Sequence, residues 1–386
     1  MIKTIKVMLL PNNKQNTKLF ECAGTARFAY NWAIAKQKEN YENGGNFLSD
    51  YDLRKEFTKL KQLPEYNWLN NYSAAMSRQP ITDACEAYKK FFKGSGYPRF
   101  KSKKKSKPAF YVRYDNLQFT ETHAKLEKLA DSKKKNKQKF NWIKLAEKGR
   151  VPTDCKYSNP RATYDGLNWW LSVGIEYHDN EEIPTNDGIG IDLGVKELAV
   201  TSDGDFYKNI NKTSQVKKLE KKKKRLQRKV SRKYEKNKKG MSYCKTKNII
   251  KVEKQILKLN KRLTDIRDNY IHQTTSEIIK RKSSFIVMEN LNIKGMMKNK
   301  HLSHAIQEQK FYEFKRQIEY KSAWNNIKFI EADRFFPSSK MCCECGNIKK
   351  DLKLSDRLYK CPICGNTIDR DYQAALNLKR CGESVI

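Results

Sequence analysis

Four cysteines near the end of the chain constrain its fold more than any other feature of the sequence. They form two Cys-x-x-Cys pairs that fifteen residues separate, and they are Cys342, Cys345, Cys361 and Cys364. This spacing is typical of two zinc knuckles joined by a short hairpin, and four thiolates complete the tetrahedral shell of Zn²⁺. Gly346 and Gly365 directly follow the two pairs, where the chain has to turn tightly. The sequence therefore predicts a zinc ribbon whose metal is structural, with Cys343 as a bystander.

The charge of the chain indicates a polyanionic partner. Lysine and arginine number 80 against 43 acidic residues, which gives a formal net charge of +37 over 386 residues. Such a surplus repels itself in a compact protein unless nucleic acid or another polyanion neutralises it. Lysine enrichment through drift in base composition is the alternative, but drift does not by itself leave the acidic residues so far behind. We therefore expect the protein to bind nucleic acid.

The sequence also predicts a cytoplasmic protein. No apolar run approaches the roughly 20 residues that a membrane-spanning helix needs, so no membrane partner is expected. The first seven residues lack the apolar core of a signal peptide. Because thiols stay reduced in the cytoplasm, the ten cysteines are expected to be metal ligands and core residues rather than disulfides.

The first half of the chain divides into a β-rich part and a helical part. A strand is predicted from Ile2 to Leu10, and side chains that alternate with a period of two indicate further strands between 96 and 180. Between them, at 11–95, apolar residues recur at the spacings of three and four that a helix with one buried face requires. These residues are Leu19, Cys22, Ala23, Ala26, Tyr30 and Ala33. The helical stretch is therefore predicted to be an insertion into a small β unit.

A basic, turn-rich segment follows the predicted helices. Its mixture of aromatic and cationic side chains suits base stacking together with phosphate contact, and a solvated linker is an equally acceptable interpretation. The candidate nucleic-acid contacts are Tyr97, Arg99, Lys101, Lys103, Lys104 and Lys105.

The second half of the chain is predicted to begin near 184, after a polar linker at 181–187. Residues 189–200 are strongly β, and two charged helices follow. The first, at about 213–236, is almost wholly Lys, Arg and Glu, and the second carries an apolar heptad seam from Val252 to Tyr270. We expect the two helices to pair as an antiparallel hairpin. Their basic outer face is either a nucleic-acid track or an ordinary solvated surface.

Three acidic residues stand at the ends of apolar elements. Asp192 and Glu289 each end a predicted strand, and Asp371 opens a short helix. Strand ends hold acids rigidly at one edge of a sheet, and Mg²⁺ prefers such hard oxygen ligands. Two Mg²⁺ ions about 3.5–4 Å apart can activate a water and stabilise the leaving oxygen of a phosphodiester. The three acids together therefore predict a two-metal nuclease site.

The order of the acids narrows the fold. Asp, Glu, Asp suits resolvase-type RNase H folds better than the Asp, Asp, Glu order of cut-and-paste transposases. Asp369 is an alternative to Asp371 as the third acid of the site. If Asp371 is the third acid, Asp369 is expected to cap the helix that follows.

Taken together, these residues resemble the TnpB family, which comprises transposon-encoded relatives of type V CRISPR effectors. The resemblance spans nearly the whole chain. The matching blocks are Tyr30-Asn31-Trp32, Pro98-Arg99-Phe100-Lys101, Gly190-Ile191-Asp192-Leu193-Gly194, Met288-Glu289-Asn290-Leu291, Phe336-Pro337-Ser338-Ser339-Lys340 and Asp369-Arg370-Asp371. The first two blocks are weak alone, whereas the last three, in this order around a ribbon, are highly specific.

The resemblance implies an RNA-guided DNA endonuclease with an α/β and β multidomain fold. An N-terminal β-barrel with its helical insertion would bind guide RNA and read a short motif beside the target. An RNase H-like (RuvC-like) α/β domain would cut the DNA and carry the zinc ribbon as an insertion. The implied boundaries are 1–10 and 96–180 for the barrel, 11–95 for the helical insertion, 184–337 and 368–386 for the nuclease domain, and 338–367 for the ribbon.

The resemblance also assigns roles and partners. Asp192, Glu289 and Asp371 would be the catalytic acids that hold Mg²⁺, and the four paired cysteines would hold Zn²⁺. A guide RNA transcribed from the transposon end would pair with double-stranded target DNA, while the protein contacts backbone and shape, which accounts for the charge. We expect one protein chain in a ribonucleoprotein, located in the cytoplasm and associated with the nucleoid when it binds DNA.

Three alternatives stay open at this point. A compact type V CRISPR effector would share the chemistry but take its guide from a repeat array. A nuclease-inactive RNA-guided repressor would be expected to have lost one or more of the acids, and all three are present here. A DNA-joining transposase is disfavoured by the order of the acids.

Overall fold

The computed structural model describes residues 2–127, 129, 140–176, 183–184, 186–353 and 356–385. The chain divides into two compact units, Met1–His178 and Asp179–Ile386. Both contain sheets and helices, so the mixed α/β multidomain architecture is confirmed. Part of the predicted linker at 181–187 lies outside the described residues. None of the helices in the described ranges combines the length and the apolar character that a bilayer span requires.

The sheet of the first unit has seven strands. They are β1 (Ile2–Leu10), β2 (Ala109–Tyr111), β3 (Gln118–Phe119), β4 (His123–Lys125), β5 (Trp142–Leu145), β6 (Tyr157–Tyr164) and β7 (Trp169–Glu176). Their order is β2-β6-β7-β1-β5-β4-β3. β1 pairs antiparallel with β7 along nearly its whole length, from Ile2 opposite Glu176 to Leu9 opposite Trp169. The strand at the start of the chain is thus central to a sheet built mostly from residues beyond 100, whereas closure into a barrel stays a prediction.

Three α-helices lie between β1 and β2. They are α1 (Asn13–Glu42), α2 (Asp50–Leu60) and α3 (Ala75–Phe92). α1 begins with a capping box, in which Asn12 and Gln15 each bond the other's backbone N–H. The six residues predicted to form its buried face are all buried. The first part of that face packs on the sheet through residues such as Leu19 and Ala26, and the later part packs in a helical core with α2 and α3.

The strands described in the second unit are β8 (Ile189–Leu193), β9 (Glu197–Thr201), β10 (Phe206–Lys208), β11 (Lys238–Lys239), β12 (Ser242–Tyr243), β13 (Phe285–Glu289), β14 (Lys328–Ala332), β15 (Leu358–Lys360) and β16 (Thr367–Asp369). Five of them form one sheet in the order β10-β9-β8-β13-β14. β13 lies parallel to both β8 and β14, whereas β9 is antiparallel to β8 and β10. The apolar run Phe285–Met288 is wholly buried, as a strand covered on both faces requires.

The helices described in this unit are α4 (Ser214–Lys236), α5 (Lys247–Ile279), α6 (Ile293–Met296), α7 (Ser303–Gln309), α8 (Phe311–Trp324) and α9 (Arg370–Glu383). α4 and α5 contact each other and are connected through the short β11–β12 hairpin, so they run antiparallel as predicted. Within the predicted seam of α5, Val252, Leu259 and Leu263 are buried.

Helix α9 packs directly against β8 and β13. A Cβ added at Gly190 would lie 2.0 Å from the backbone oxygen of Ala375, and one at Gly382 would lie 2.4 Å from Cγ2 of Val287. The two glycines therefore remove the side chains that would separate the helix from the sheet. This contact sets where the first turn of α9 lies relative to the strand ends.

Substituting Gly190 tests this packing. We expect Gly190→Ala to lower the free energy of unfolding by about 3 kcal/mol, the upper end for overpacking, because only backbone atoms of α9 could move to admit the methyl group. Urea unfolding of the full chain measures the change. Gly24→Ala is the control: Gly24 is inside α1 and a Cβ there would meet nothing within 4 Å, so it should be neutral or stabilise by up to about 1 kcal/mol. Equal effects of the two substitutions would contradict the close contact.

Candidate active site and zinc site

Two of the three predicted acids occupy the ends of neighbouring parallel strands. Asp192 is near the end of β8, and Glu289 is the last residue of β13. The two strands pair in parallel, with Ile191 opposite Met288. Parallel neighbours end at the same edge of a sheet, so both carboxylates lie at that edge. Asp371, in the first turn of α9, completes the group because α9 packs on both strands.

Asp192 is buried beside the other two acids. Burial raises the pKa of Asp192 well above its usual value, and the neighbouring Glu289 and Asp371 carboxylates raise it further. Burial also raises the pKa of Glu289, against a smaller opposing effect from a hydrogen bond that Ser338 donates. Desolvation and like charge both disfavour ionised carboxylates. A cation between these acids would relieve both effects.

Arginine and the helix cap separate the roles of Asp369 and Asp371. The Asp369 carboxylate accepts from the backbone N–H groups of Asp371 and Tyr372 at 2.9 and 3.1 Å, so it is the N-cap of α9. The guanidinium of Arg370 donates to Asp371 at 3.0 and 3.2 Å. Asp369 is thus engaged by backbone, and of the two acids Asp371 has the larger effect on the pKa of Asp192. Arg370 lies between these two acids in the sequence, and its residue type alone predicted no role for it.

A second residue without a predicted role holds Glu289. The hydroxyl of Ser338, which is buried, donates to the Glu289 carboxylate. Asn377 of α9 in turn donates from Nδ2 to the backbone oxygens of Ser338 and Met341, both at 2.7 Å. The segment that precedes the cysteines is therefore held on α9 beside the acids. Ser338 also lies in a motif that the sequence analysis quoted only for its resemblance.

The four predicted cysteines come together at one point. Sγ of Cys342 lies 3.6 Å from Sγ of Cys364, and Sγ of Cys345 lies 3.5 Å from Sγ of Cys361. Four thiolates at ~2.3 Å from a tetrahedral zinc would be about 3.8 Å apart, so the spacing fits that ion. Among the residues in the described ranges, this is the only group of three or more ligand-bearing side chains whose ligand atoms all lie within 4.8 Å of one another. The three carboxylates are therefore less tightly grouped than the thiols.

The two cysteine pairs have the same local geometry. In each, the N–H of the first cysteine donates to the backbone oxygen five residues later at 2.8 Å, and the following glycine donates back to that cysteine. Gly346 and Gly365 both have a φ of 74°, which a residue with a side chain rarely adopts. Cys343 is buried outside the group, with the amide of Asn366 3.5 Å from its sulfur.

The predicted nucleic-acid residues do not form one uniform surface. Arg99, Lys103, Lys104 and Lys105 are exposed. Lys101 is also exposed as a residue, but its ammonium lies 3.6 Å from the centre of the Tyr30 ring. Desolvation of this ammonium lowers the pKa of Lys101. Asn31 exchanges two 2.8 Å hydrogen bonds with the Lys101 backbone. Lys101 therefore anchors the turn to α1, whereas its neighbours extend into solvent.

Zinc content tests the cysteine assignment. We expect Cys342→Ser to lose the one zinc ion per chain that the wild type retains, because three thiolates and a hydroxyl bind Zn²⁺ far more weakly. Elemental analysis of purified, dialysed protein measures the stoichiometry. Cys343→Ser is the matched control and should keep its zinc. Loss of zinc from the control with retention in Cys342→Ser would reverse the assignment.

The raised pKa of Asp192 predicts a pH-dependent penalty on stability. A carboxyl whose folded pKa exceeds its unfolded pKa binds more protons when folded, so stability falls as the pH rises from the unfolded pKa to the folded one and stays lowered above it. In chelator-treated protein at neutral pH, we expect Asp192→Asn to raise the melting temperature, by about 2–4 °C for each kcal/mol regained. The gain should disappear below about pH 4, where the wild-type carboxyl is protonated in both states.

Asp187→Asn provides the comparison for this experiment. The Asp187 side chain is 95% exposed and 3.9 Å from Lys379, so its removal should change stability by no more than about 0.5 kcal/mol. If the wild type without metal were more stable than Asp192→Asn at neutral pH, the prediction that the buried Asp192 carboxylate destabilises the folded protein would be wrong.

Family models match three successive parts of the chain. A "Helix-turn-helix domain" model of OrfB_IS605 proteins matches residues 1–46, the OrfB_IS605 "Probable transposase" model matches 172–300, and a "Cas12f1-like, TNB domain" model matches 311–378. Over 1–46 the structure has one strand and one long helix rather than two helices joined by a turn.

Curated relatives cover the chain from end to end. The chain is 26% identical over all of its length to "Putative RNA-guided DNA endonuclease InsQ" of Escherichia coli K12, with 93% of that protein covered. It is 28% identical over 98% of its length to a "Putative RNA-guided DNA endonuclease" of Streptomyces pristinaespiralis, with 89% of that protein covered.

A solved structure shares the fold. The chain aligns with a protein chain from the cryo-EM structure of the Cas12f1-sgRNA-target DNA complex at a TM-score of 0.62 and 15% sequence identity, covering 98% of both chains. With this shared fold, the family models and the full-length relatives support the resemblance to the TnpB family that the motifs predicted.

Proposed function

We propose that this protein is an RNA-guided DNA endonuclease of a transposable element. Its full-length relatives carry that activity in their names, and the solved structure that shares its fold contains both an RNA and a target DNA. A net charge of +37 suits a chain that neutralises two nucleic acids at once. The transposon origin follows from the transposase family model.

One observation carries the nuclease part of the proposal. Asp192 and Glu289 end neighbouring parallel strands, and Asp371 opens the helix packed on those strands. The order β10-β9-β8-β13-β14, with β9 and β10 antiparallel to the three parallel strands, supports an RNase H-like domain. On this proposal, residues 184–337 and 368–386 form the RuvC-like nuclease and 338–367 form its inserted ribbon.

Magnesium is the cofactor that fits these acids. Their carboxylates are hard oxygen donors, and the raised pKa of Asp192 shows that an ion-free cluster is electrostatically unfavourable. Asp192, Glu289 and Asp371 would hold a pair of Mg²⁺ ions. Bound Mg²⁺ would lower the pKa of a water and stabilise the oxygen that leaves the phosphodiester.

The chain's own residues prepare the site for this cofactor. Ser338 holds one oxygen of Glu289, which fixes the orientation of the carboxylate and leaves its other oxygen available. Arg370 balances the charge of Asp371 until a cation or a phosphate arrives. We assign to both residues a positioning role, because each acts on an acid rather than on the scissile bond.

The first unit supplies RNA binding in this proposal. Residues 1–10 and 96–180 would form a barrel-like domain and 11–95 a helical insertion that binds guide RNA. Exposed Arg99 and Lys103–Lys105 would contact phosphates, whereas Lys101 would position their turn. We propose one protein chain per ribonucleoprotein, in the cytoplasm and on the nucleoid when DNA is bound.

Cleavage by the purified ribonucleoprotein tests the function. Wild-type protein with its co-purified RNA should cut DNA that matches the RNA, in the presence of Mg²⁺ and not of chelator. We expect Asp192→Ala and Glu289→Ala each to reduce the cleavage rate by more than about a hundredfold. Loss of a residue that only supports a metal ligand lowers activity by about 10- to 100-fold, and loss of the ligand itself should cost more. Nucleic-acid binding, measured by gel shift, should be retained. Undiminished cleavage in both variants would overturn the proposal.

Two further measurements sharpen the result. Asp369→Ser keeps a helix-capping oxygen, so it should retain cleavage while Asp371→Ala loses it; the opposite outcome would make Asp369 the third acid.

Sequencing the co-purified RNA separates the transposon protein from a compact type V effector. An RNA from the transposon end supports the proposal, whereas one from a repeat array would contradict it.

A further inference from the structure

An aromatic groove lies in the helical part of the first unit and includes Tyr97 of the turn that follows, and the proposed function does not say which part of the RNA it would bind. It has a volume of about 430 Å³, within the 300–1,000 Å³ of ligand-binding pockets. Tyr88 is buried at its base. Five other aromatic side chains line it and are at least one-third exposed: Tyr41, Phe47, Phe91, Phe92 and Tyr97.

The rings of this aromatic groove support one another. Tyr97 lies edge-on to both Phe91 and Tyr88, with ring centres 5.2 and 5.7 Å apart, and its hydroxyl is 3.1 Å from that of Tyr88. Phe47 lies edge-on to Phe92 at 5.9 Å. Edge-on packing fixes each ring through its neighbour and leaves ring faces free for a ligand. Phe92 is 66% exposed and Tyr41 80%, which is unusual for side chains that water solvates poorly.

The charge around the aromatic groove indicates what covers these rings. The exposed Lys38 is part of the lining and pairs with the exposed Glu42 at 3.5 Å, and the exposed Lys90 and Lys93 are adjacent in sequence to the two phenylalanines. From 87 to 107 the chain has nine lysines and arginines and no acid. Aromatic faces framed by cations are the arrangement that binds unpaired nucleotides, since bases stack and phosphates pair with the cations. A second copy of this chain fits less well, because a symmetric contact would bring the same lysines together.

We propose that the aromatic groove binds unpaired nucleotides of the RNA partner by stacking their bases on Phe92 and Tyr41. This inference rests on the proposed function, because RNA is the partner that an RNA-guided protein holds before it meets DNA. Duplex regions hide their bases, so only a loop, bulge or single-stranded end of the RNA would enter. The basic turn at 99–105 continues from Tyr97, and its exposed cations would contact the phosphates of the same strand.

Binding by substituted full-length proteins tests the aromatic groove. The probe is a labelled single-stranded RNA of about 12 nucleotides, and the comparison probes are an abasic strand of equal length, a double-stranded RNA and the corresponding single-stranded DNA. We expect Phe92→Ala to weaken single-stranded RNA binding about 5- to 100-fold, the range for loss of one stacked base, and to leave the abasic and duplex probes unchanged. The slope of affinity against salt should not change, because no charge is removed.

Three control variants separate stacking from other effects. Tyr51→Ala removes an aromatic side chain of similar exposure, 59%, that is outside the aromatic groove, and it should bind like the wild type. Phe92→Trp should keep the affinity and add an indole whose fluorescence the base-bearing RNA quenches and the abasic strand does not. Phe92→Leu keeps an apolar side chain without a ring, so it should behave like Phe92→Ala.

Several outcomes would overturn the inference. In the binding assays, these are unchanged RNA affinity of Phe92→Ala, full RNA affinity of Phe92→Leu, and tighter binding of single-stranded DNA than of single-stranded RNA. In sedimentation, the contradicting outcome is a wild-type dimer that Phe92→Ala converts to a monomer. The last would identify the aromatic groove as a contact between copies of the chain. These binding assays do not measure cleavage, so a negative result contradicts the role of the aromatic groove and not the proposed nuclease activity. A wild-type protein that binds the RNA but does not cut DNA contradicts the nuclease activity alone.

Discussion

The close contact of helix α9 with β8 and β13 is the interaction on which the candidate active site depends. Two positions without side chains, Gly190 and Gly382, let the helix backbone reach the sheet. Asp371 lies in the first turn of that helix, so its distance from the acids of the sheet follows from this packing rather than from any bond of its own to them. A larger residue at Gly190 would therefore move Asp371, which is far from it in sequence.

The same contact brings together groups that repel one another. Burial and neighbouring carboxylates raise the pKa of Asp192, so the folded protein holds an unfavourable charge arrangement at neutral pH. Such an arrangement persists because packing elsewhere supports it, and a ligand that binds only the folded state would recover the lost stability. Ser338 and Arg370 moderate the repulsion without removing it, since each satisfies a single carboxylate. The fold itself thus positions the three carboxylates.

Much of this arrangement could be predicted from the sequence because its signals are local. The cysteine spacing, the acids at strand ends and the heptad seam of α5 are recognised within windows of a few residues to about twenty.

The roles of Ser338 and Arg370 could not be predicted, because a serine or an arginine in a short motif indicates no role until folding brings it to Glu289 or Asp371. Only Tyr97 of the aromatic groove was a predicted nucleic-acid contact, because the other rings come from positions as far apart as Tyr41 of α1 and Phe92 of α3. Lys101 was grouped with its neighbours by composition, whereas its ammonium packs on Tyr30. Closure of the first sheet into a barrel stays a prediction, since strand signals do not determine which edges meet.

The zinc ribbon is connected to the acids at both of its ends. Before the cysteines, Asn377 of α9 holds the backbone of Ser338 and Met341, and Ser338 holds Glu289. After them, β16 ends at Asp369, which caps α9, and the N–H of Arg370 donates to Arg357 at 2.8 Å. A zinc ion that fixes the four cysteines would therefore restrain the entry into the very helix turn that carries Asp371. A structural metal can in this way support a catalytic one without sharing a ligand with it, because both sites depend on the same helix.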